Sequence, residues 1–170
     1  MHIDHRLSVQ PYSAACQNCP GIVCPMITVI FISIVLVLTC VGIHYFALVN
    51  LSLLRSRGTA HPRRWLNLMV LGAIIAHVTE ILVFALGYRV VAANDKLGGL
   101  HHASGGDSED FGYFSFVAYT SLGFGDILPH GELRFMTALE TLTGLLLIAW
   151  TASFIFLEMQ ATWDQEKQGM

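Results

Sequence analysis

Long uncharged apolar runs alternate with short polar segments along the 170-residue chain. Residues 7–54 contain no Asp, Glu, Lys or Arg, while residues 65–88 and 135–157 contain one acid each, Glu80 and Glu140. A helix needs about 20 mostly apolar residues to cross a hydrocarbon core about 30 Å thick. The pattern therefore predicts three transmembrane helices, over residues 26–50, 66–90 and 135–158.

A fourth uncharged run, residues 111–125, lies between Asp110 and Asp126 and is too short to cross a bilayer. If its first ten residues are helical, they rise about 15 Å, which is half of the hydrocarbon core. The glycine-rich remainder then lies at membrane depth, where protein or water must satisfy its backbone groups. This run is predicted to enter the membrane and return on the same side.

The distribution of arginine predicts the orientation. The segment between the first two helices holds four arginines and no acid: Arg55, Arg57, Arg63 and Arg64. Because cytoplasmic loops carry an excess of Lys and Arg, we expect this loop in the cytoplasm, the N-terminus outside and the C-terminus inside. The acidic, turn-rich segment His101–Asp110 is then an extracytoplasmic solvated turret, in which His101 and His102 are exposed.

Composition narrows the class of protein. Of all residues 54% are hydrophobic and only 12% charged, about half the usual charged fraction. The net charge of −3 lacks the excess of Lys and Arg that nucleic-acid-binding proteins carry, so we expect no nucleic acid as a partner. Neither a nucleophile with its base nor a phosphate-binding loop can be recognised, so we expect no enzyme and no cofactor. The expected localisation is the cell membrane, as a multi-pass protein in contact with lipid.

The segment Thr120–Asp126 reads TSLGFGD and follows the aromatic run YFSFVAY. It resembles the filter signature of potassium-channel pores, T-V-G-Y-G-D, in the small branch of that family with two helices and one pore loop. Together with the apolar pattern, the resemblance implies an all-α membrane protein with three transmembrane helices, a re-entrant pore helix near residues 111–120 and a filter loop. Four pore loops close one ring of ligands, so the implied partners are three identical subunits in a homotetramer.

The chemistry of such a filter is dehydration of a monovalent cation by rings of backbone carbonyl oxygens. Gly123 and Gly125 can adopt the positive φ that carbonyls aimed at one axis require. By resemblance, the K+ ligands are the carbonyls of Ser121, Leu122, Gly123 and Phe124, together with the Ser121 hydroxyl. The whole filter then comprises Thr120, Ser121, Leu122, Gly123, Phe124 and Gly125. We expect Asp126 and Glu140 to support the filter, with Glu140 hydrogen-bonded behind it.

Three positions depart from the commonest filter: Ser121 replaces Thr, Leu122 replaces Val and Phe124 replaces Tyr. Phe124 lacks the phenolic hydroxyl that can tie a filter to its pore helix. These departures leave three functions open. They are a potassium-selective passive channel, a weakly selective monovalent cation channel and a non-conducting accessory subunit.

Two further features have more than one interpretation. Gly144, in the last helix, is either a hinge or a residue that allows close packing. His77 and Glu80 are three residues apart and share a helix face. This pair is a pH sensor, a mutually satisfied polar pair or part of a metal site that lacks a third ligand.

The apolar runs, the arginine distribution and the resemblance together predict the organisation of the chain. The expected parts are an extracytoplasmic segment 1–25, an extra helix 26–50, a basic cytoplasmic loop 51–65, a pore domain 66–159 and a cytoplasmic tail 160–170. We expect the extra helix to pack on the lipid side of the pore domain. Of the cysteines, Cys16, Cys19 and Cys24 are extracytoplasmic in this topology, where a disulfide between two of them is favoured.

Overall fold

The computed structural model describes residues 25–56, 62–94 and 97–168. Cys16, Cys19 and Cys24 lie outside this range, so their disulfide stays a prediction. Within these three ranges, four helices and two strands follow one another. In order they are α1 (Pro25–Ser56), α2 (Pro62–Ala92), β1 (Gly98–His102), α3 (Phe111–Tyr119), β2 (Ile127–Gly131) and α4 (Leu133–Gln168).

Three of the helices are long and apolar enough to cross a membrane, over Met26–Leu54, Trp65–Ala92 and Leu133–Ala161. Each helix extends beyond the bounds predicted for it. α1 ends at Ser56 instead of residue 50, and α4 continues to Gln168 through most of the expected tail. The reason is that an apolar run marks the part of a helix that suits lipid, while the helix itself continues into polar residues.

The short helix α3 packs against both α2 and α4, and this contact forms the centre of the hydrophobic core. The Tyr88 ring of α2 meets the Phe114 ring of α3 edge to face, with 5.1 Å between centroids. α1 packs along α2 and α4 on another side. Its large side chains Phe31, Leu38 and Phe46 are exposed, and lipid is the solvent that suits them.

A small antiparallel sheet, formed by β1 and β2, flanks the loop that contains α3. Its register pairs Gly98 with Gly131 and His102 with Ile127. The sequence analysis predicted no strand here and treated residues 101–110 as a solvated turret. The His101 side chain keeps 45% of its surface exposed, while its ring stacks on His130 with 3.9 Å between centroids and its Nδ1 lies 2.7 Å from an Asp107 oxygen. Pairing with a strand more than 20 residues away cannot be read from local sequence.

Gly144 lies where α4 crosses the end of α3. A Cβ atom built at Gly144 would clash with the Tyr119 carbonyl oxygen and would lie 3.0 Å from the Tyr119 ring. α4 is one continuous helix from Leu133 to Gln168. Of the two interpretations of Gly144, the structure therefore supports close packing.

Replacing Gly144 with Ala should destabilise the protein, since the added methyl group cannot fit against the Tyr119 backbone without moving α3 or α4. We expect the free energy of unfolding to fall by about 1–3 kcal/mol, the usual cost of overpacking. Gly42→Ala is the matched control, because a Cβ at Gly42 meets nothing within 4 Å. Thermal unfolding in detergent gives the melting midpoint of each variant. A Gly144→Ala midpoint equal to that of Gly42→Ala would contradict the packing role.

Candidate functional site

Two backbone hydrogen bonds define how α3 ends and the following loop begins. The Ser121 N–H donates to the Ala118 carbonyl at 3.0 Å, and the Leu122 N–H donates to the Val117 carbonyl at 3.0 Å. These two bonds form a Schellman motif, which satisfies carbonyls that a helix end otherwise leaves free. The Thr141 hydroxyl of α4 donates to the same Ala118 carbonyl at 2.9 Å. The start of the loop is therefore fixed to both α3 and α4.

Positive φ angles recur at every second residue of this loop. Gly123 and Gly125 have φ of 54° and 77°, and Ser121 has φ of 59°. The two glycines pay no steric cost for this conformation. Ser121 is the one non-glycine residue with positive φ in the described part of the chain, and sequence reasoning missed it. It occupies the left-handed position of the Schellman motif, where glycine is usual.

The side chains of the loop, residues 120–126, are hardly buried by the rest of the single chain. Residues 120–126 are all exposed. Leu122 and Phe124 have relative exposures of 58% and 65%. Large apolar side chains in this state are typical of surfaces that another protein or lipid covers.

A hydrogen bond joins the end of the loop back to α3. The Tyr113 hydroxyl donates to Asp126 Oδ2 at 2.8 Å. This bond holds the pKa of the Asp126 carboxyl below its usual value and raises the pKa of the Tyr113 phenol. Phe124 cannot tie the loop to the helix, and Tyr113 provides such a tie through Asp126 instead. The feature of the sequence that could have indicated this bond is the hydroxyl-bearing Tyr113 at the start of the aromatic run YFSFVAY.

Glu140 lies behind α3 and is completely buried. Its Oε1 is hydrogen-bonded to the Ser115 hydroxyl of α3, and its Oε2 accepts a bond of 2.5 Å from the Tyr88 hydroxyl of α2. The Ser115 hydroxyl is also 2.8 Å from the Ile81 carbonyl oxygen. The carboxyl group of Glu140 thus joins α2, α3 and α4 behind the loop.

Glu80, the other buried acid, lies at the end of α3 that precedes the loop. Its Oε1 is 2.9 Å from His44 Nδ1 of α1, and its Oε2 is 3.2 Å from His77 Nδ1. The Tyr119 hydroxyl, on the last residue of α3, donates to the same Oε2. The structure thus brings His77 and Glu80 together and adds His44 and Tyr119, which sequence reasoning missed because they lie on other elements.

His44, His77 and Glu80 have ligand atoms within 4.8 Å of one another, which is close enough to consider a metal ion. Both histidines, however, use both ring nitrogens within the protein. Their Nδ1 atoms face Glu80, and their Nε2 atoms lie 3.2 Å and 3.0 Å from the Thr151 hydroxyl. A metal ligand needs a free nitrogen lone pair, so these contacts favour a hydrogen-bonded polar cluster.

The fold and this loop define a helical membrane protein with a short helix and a glycine-rich loop between two spans. A family model described as ion channel matches residues 69–161, more than half of the chain. The chain therefore belongs to this family of ion channels. The match runs from α2 to α4 and includes the loop, whereas α1 lies outside it. No curated protein and no solved structure gave a significant match to the chain.

Tyr113→Phe should lower the melting temperature at pH 7, because the bond to Asp126 is lost. A carboxyl with a depressed pKa loses its contribution as pH falls through the folded-state pKa. We therefore expect the difference from wild type to hold from pH 7 to about 4, near the ordinary pKa of Asp, and to shrink at lower pH. Tyr45→Phe on the exposed face of α1 is the control. Identical melting of Tyr113→Phe and wild type at pH 7 would contradict the bond.

Proposed function

We propose that the chain forms a homotetrameric channel that conducts K+ passively and preferentially through the loop Thr120–Gly125. The observation that carries this proposal is the recurrence of positive φ at Ser121, Gly123 and Gly125, directly after a short helix. Carbonyls that aim at one axis need such torsions, and rings of carbonyl oxygens replace the hydration shell of K+ in pores. The ligands are the carbonyls of residues 121–124 and the Ser121 hydroxyl.

The exposed apolar surface supports assembly from identical subunits. Leu122 and Phe124 belong to the proposed filter segment and lack cover in one chain. On α4, Leu142, Leu145 and Leu146 are also more than half exposed. A fourfold arrangement buries such side chains between neighbours while it brings four loops to one axis. Lipid then surrounds the tetramer, with the N-terminus outside the cell and the C-terminus in the cytoplasm.

The short helix contributes to the proposed conduction. α3 ends at Tyr119, and a helix carries partial negative charge at its C-terminal end. Four such ends that point to the inner side of the filter favour a cation there. Glu140 and Asp126 act as supports, because their hydrogen bonds join α3 to α2, α4 and the end of the loop.

Gly123→Ala tests the proposed filter. Alanine is strained at the φ of 54° that Gly123 adopts, so the carbonyl ring is distorted and K+ flux should fall at least tenfold. The measurement is cation flux into proteoliposomes under K+ or Na+ gradients, with and without external Ba2+. Gly42→Ala is the control, and size-exclusion chromatography with light scattering verifies that each variant is a tetramer.

The outcomes separate the three functions. Potassium-driven, barium-blocked flux in wild type that is lost in Gly123→Ala supports the proposal. Equal Na+ and K+ flux in wild type would replace it with a weakly selective cation channel. Intact wild-type tetramers without flux, which conduct when a partner subunit is added, would replace it with an accessory subunit. Full selective flux in tetrameric Gly123→Ala would refute the filter assignment.

Ser121→Gly separates the backbone role of Ser121 from the role of its hydroxyl. Glycine removes the strain of positive φ, which costs about 1–2 kcal/mol in other residues, so thermal stability should rise. It also removes the proposed inner ring of hydroxyl ligands, so the K+ over Na+ permeability ratio should fall. Reversal potentials under bi-ionic conditions measure this ratio. An unchanged ratio in a stabilised variant would exclude the hydroxyl as a ligand.

A further inference from the structure

Five side chains from all four helices form a closed ring of hydrogen bonds around Glu80. The ring runs from Glu80 Oε1 to His44 Nδ1, from His44 Nε2 to the Thr151 hydroxyl and from there to His77 Nε2. It continues from His77 Nδ1 to the Tyr119 hydroxyl at 2.9 Å and closes at Glu80 Oε2. Glu80 and His44 are completely buried.

Counting hydrogens shows what this ring needs. The Tyr119 hydroxyl donates its hydrogen to Glu80, so the bond between Tyr119 and His77 requires a hydrogen on His77 Nδ1. His77 Nε2 is then an acceptor and takes the hydrogen of the Thr151 hydroxyl. The Thr151 oxygen has no second hydrogen, so the bond to His44 Nε2 requires a hydrogen on that nitrogen.

The last bond of the ring, between His44 Nδ1 and Glu80 Oε1, also requires a hydrogen. With His44 Nε2 already protonated, a neutral imidazole has none left for Nδ1. All five bonds are made only if the ring holds one further proton. Without that proton, four hydrogens serve five contacts. One contact then lies between two lone pairs, either Glu80 with His44 Nδ1 or, in the other tautomer, His44 Nε2 with the Thr151 oxygen.

We propose that this ring is a binding site for one dissociable proton, and that the bound proton ties the end of α3 to α1, α2 and α4. With the proton bound, the five groups carry no net charge. Without it, one negative charge lies among apolar helices, where an uncompensated charge is costly. Because this cost opposes loss of the proton, we expect the site to be occupied at neutral pH and to empty at alkaline pH.

Within the part of the chain that the structure describes, no other charged side chain contacts the ring in place of the proton. On α1, the Cys40 thiol donates to the Glu80 backbone carbonyl at 3.7 Å, and the Trp150 ring of α4 packs on His44 with 5.4 Å between centroids. From α3 and α4, Tyr119 and Thr151 are the facing groups, and both are already in the ring. Glu140, the remaining buried acid of α4, is engaged by Ser115 and Tyr88 instead.

The position of Tyr119 connects the ring to the loop. Tyr119 is the last residue of α3, and Thr120 begins the proposed filter. Loss of the proton removes one bond of His44, either to Glu80 or to Thr151, so the end of α3 is tied less firmly to α1. The bond from the Tyr119 hydroxyl to Glu80 stays. This coupling rests on the proposed function, because it predicts that alkaline pH reduces ion flux, whereas the proton site itself does not depend on conduction.

Glu80→Gln mimics the proton-bound ring. The Gln amide donates a hydrogen to His44 Nδ1, as the bound proton does, and its carbonyl oxygen accepts from Tyr119. The variant keeps all five bonds but has no proton to lose. Glu80→Ala breaks the ring at any pH. Glu109→Gln makes the same chemical change at an exposed glutamate and is the control.

The experiment follows unfolding in mixed detergent micelles by circular dichroism between pH 7 and 9.5. In this range the unfolded chain has an ionised Glu80 and neutral histidines, since their ordinary pKa values are about 4.3 and 6.5. The folded wild type binds one proton more than the unfolded chain, so its stability falls with rising pH. We expect its unfolding constant to rise up to tenfold per pH unit relative to Glu80→Gln.

Parallel pH profiles of wild type and Glu80→Gln would overturn the proton site, and so would a Glu80→Gln variant as unstable as Glu80→Ala. Flux into proteoliposomes over the same pH range tests the coupling. Wild-type flux should fall at alkaline pH while that of Glu80→Gln holds, and pH-independent wild-type flux would overturn the coupling. Absence of flux at every pH, with the expected unfolding profiles, would count against the channel and leave the proton site supported.

Discussion

Two carboxyl groups lie inside an apolar helical protein, and each must be satisfied by protein hydrogen bonds because neither lipid nor water can do so there. Glu80 and Glu140 are both completely buried. The two acids and their partners together lie on all four helices of the described chain, so the two acids determine how the helices meet. The apolar contacts around them, such as Tyr88 on Phe114, add packing energy but are compatible with many arrangements.

The hydrogen bonds of the two buried acids hold the short helix α3 in place. Ser115 joins its middle to Glu140, and Tyr119 joins its end to Glu80. Tyr113 and Thr141 then fix both ends of the following loop through Asp126 and the Ala118 carbonyl. A nine-residue helix has little stability of its own, so the precise torsions of the loop depend on these external bonds.

The extra helix α1 has a part in this network although the ion channel family match does not include it. Its outer side chains are apolar and exposed, as expected for a helix on the lipid side. Its inner face carries His44, which reaches both Glu80 and Thr151. α1 therefore completes a polar cluster that the family-matched part of the chain contains only in part.

The sequence by itself determined the three long helices, the place of the short helix and the positive φ of Gly123 and Gly125. Those features follow from local properties, namely the length of an apolar run and the absence of a Cβ atom. Only the tertiary structure decided the pairing of β1 with β2, the packing role of Gly144 and the meeting of His44 with Glu80, 36 residues away. Such contacts depend on how helices pack against one another, and a linear pattern of residue types does not encode which faces will touch.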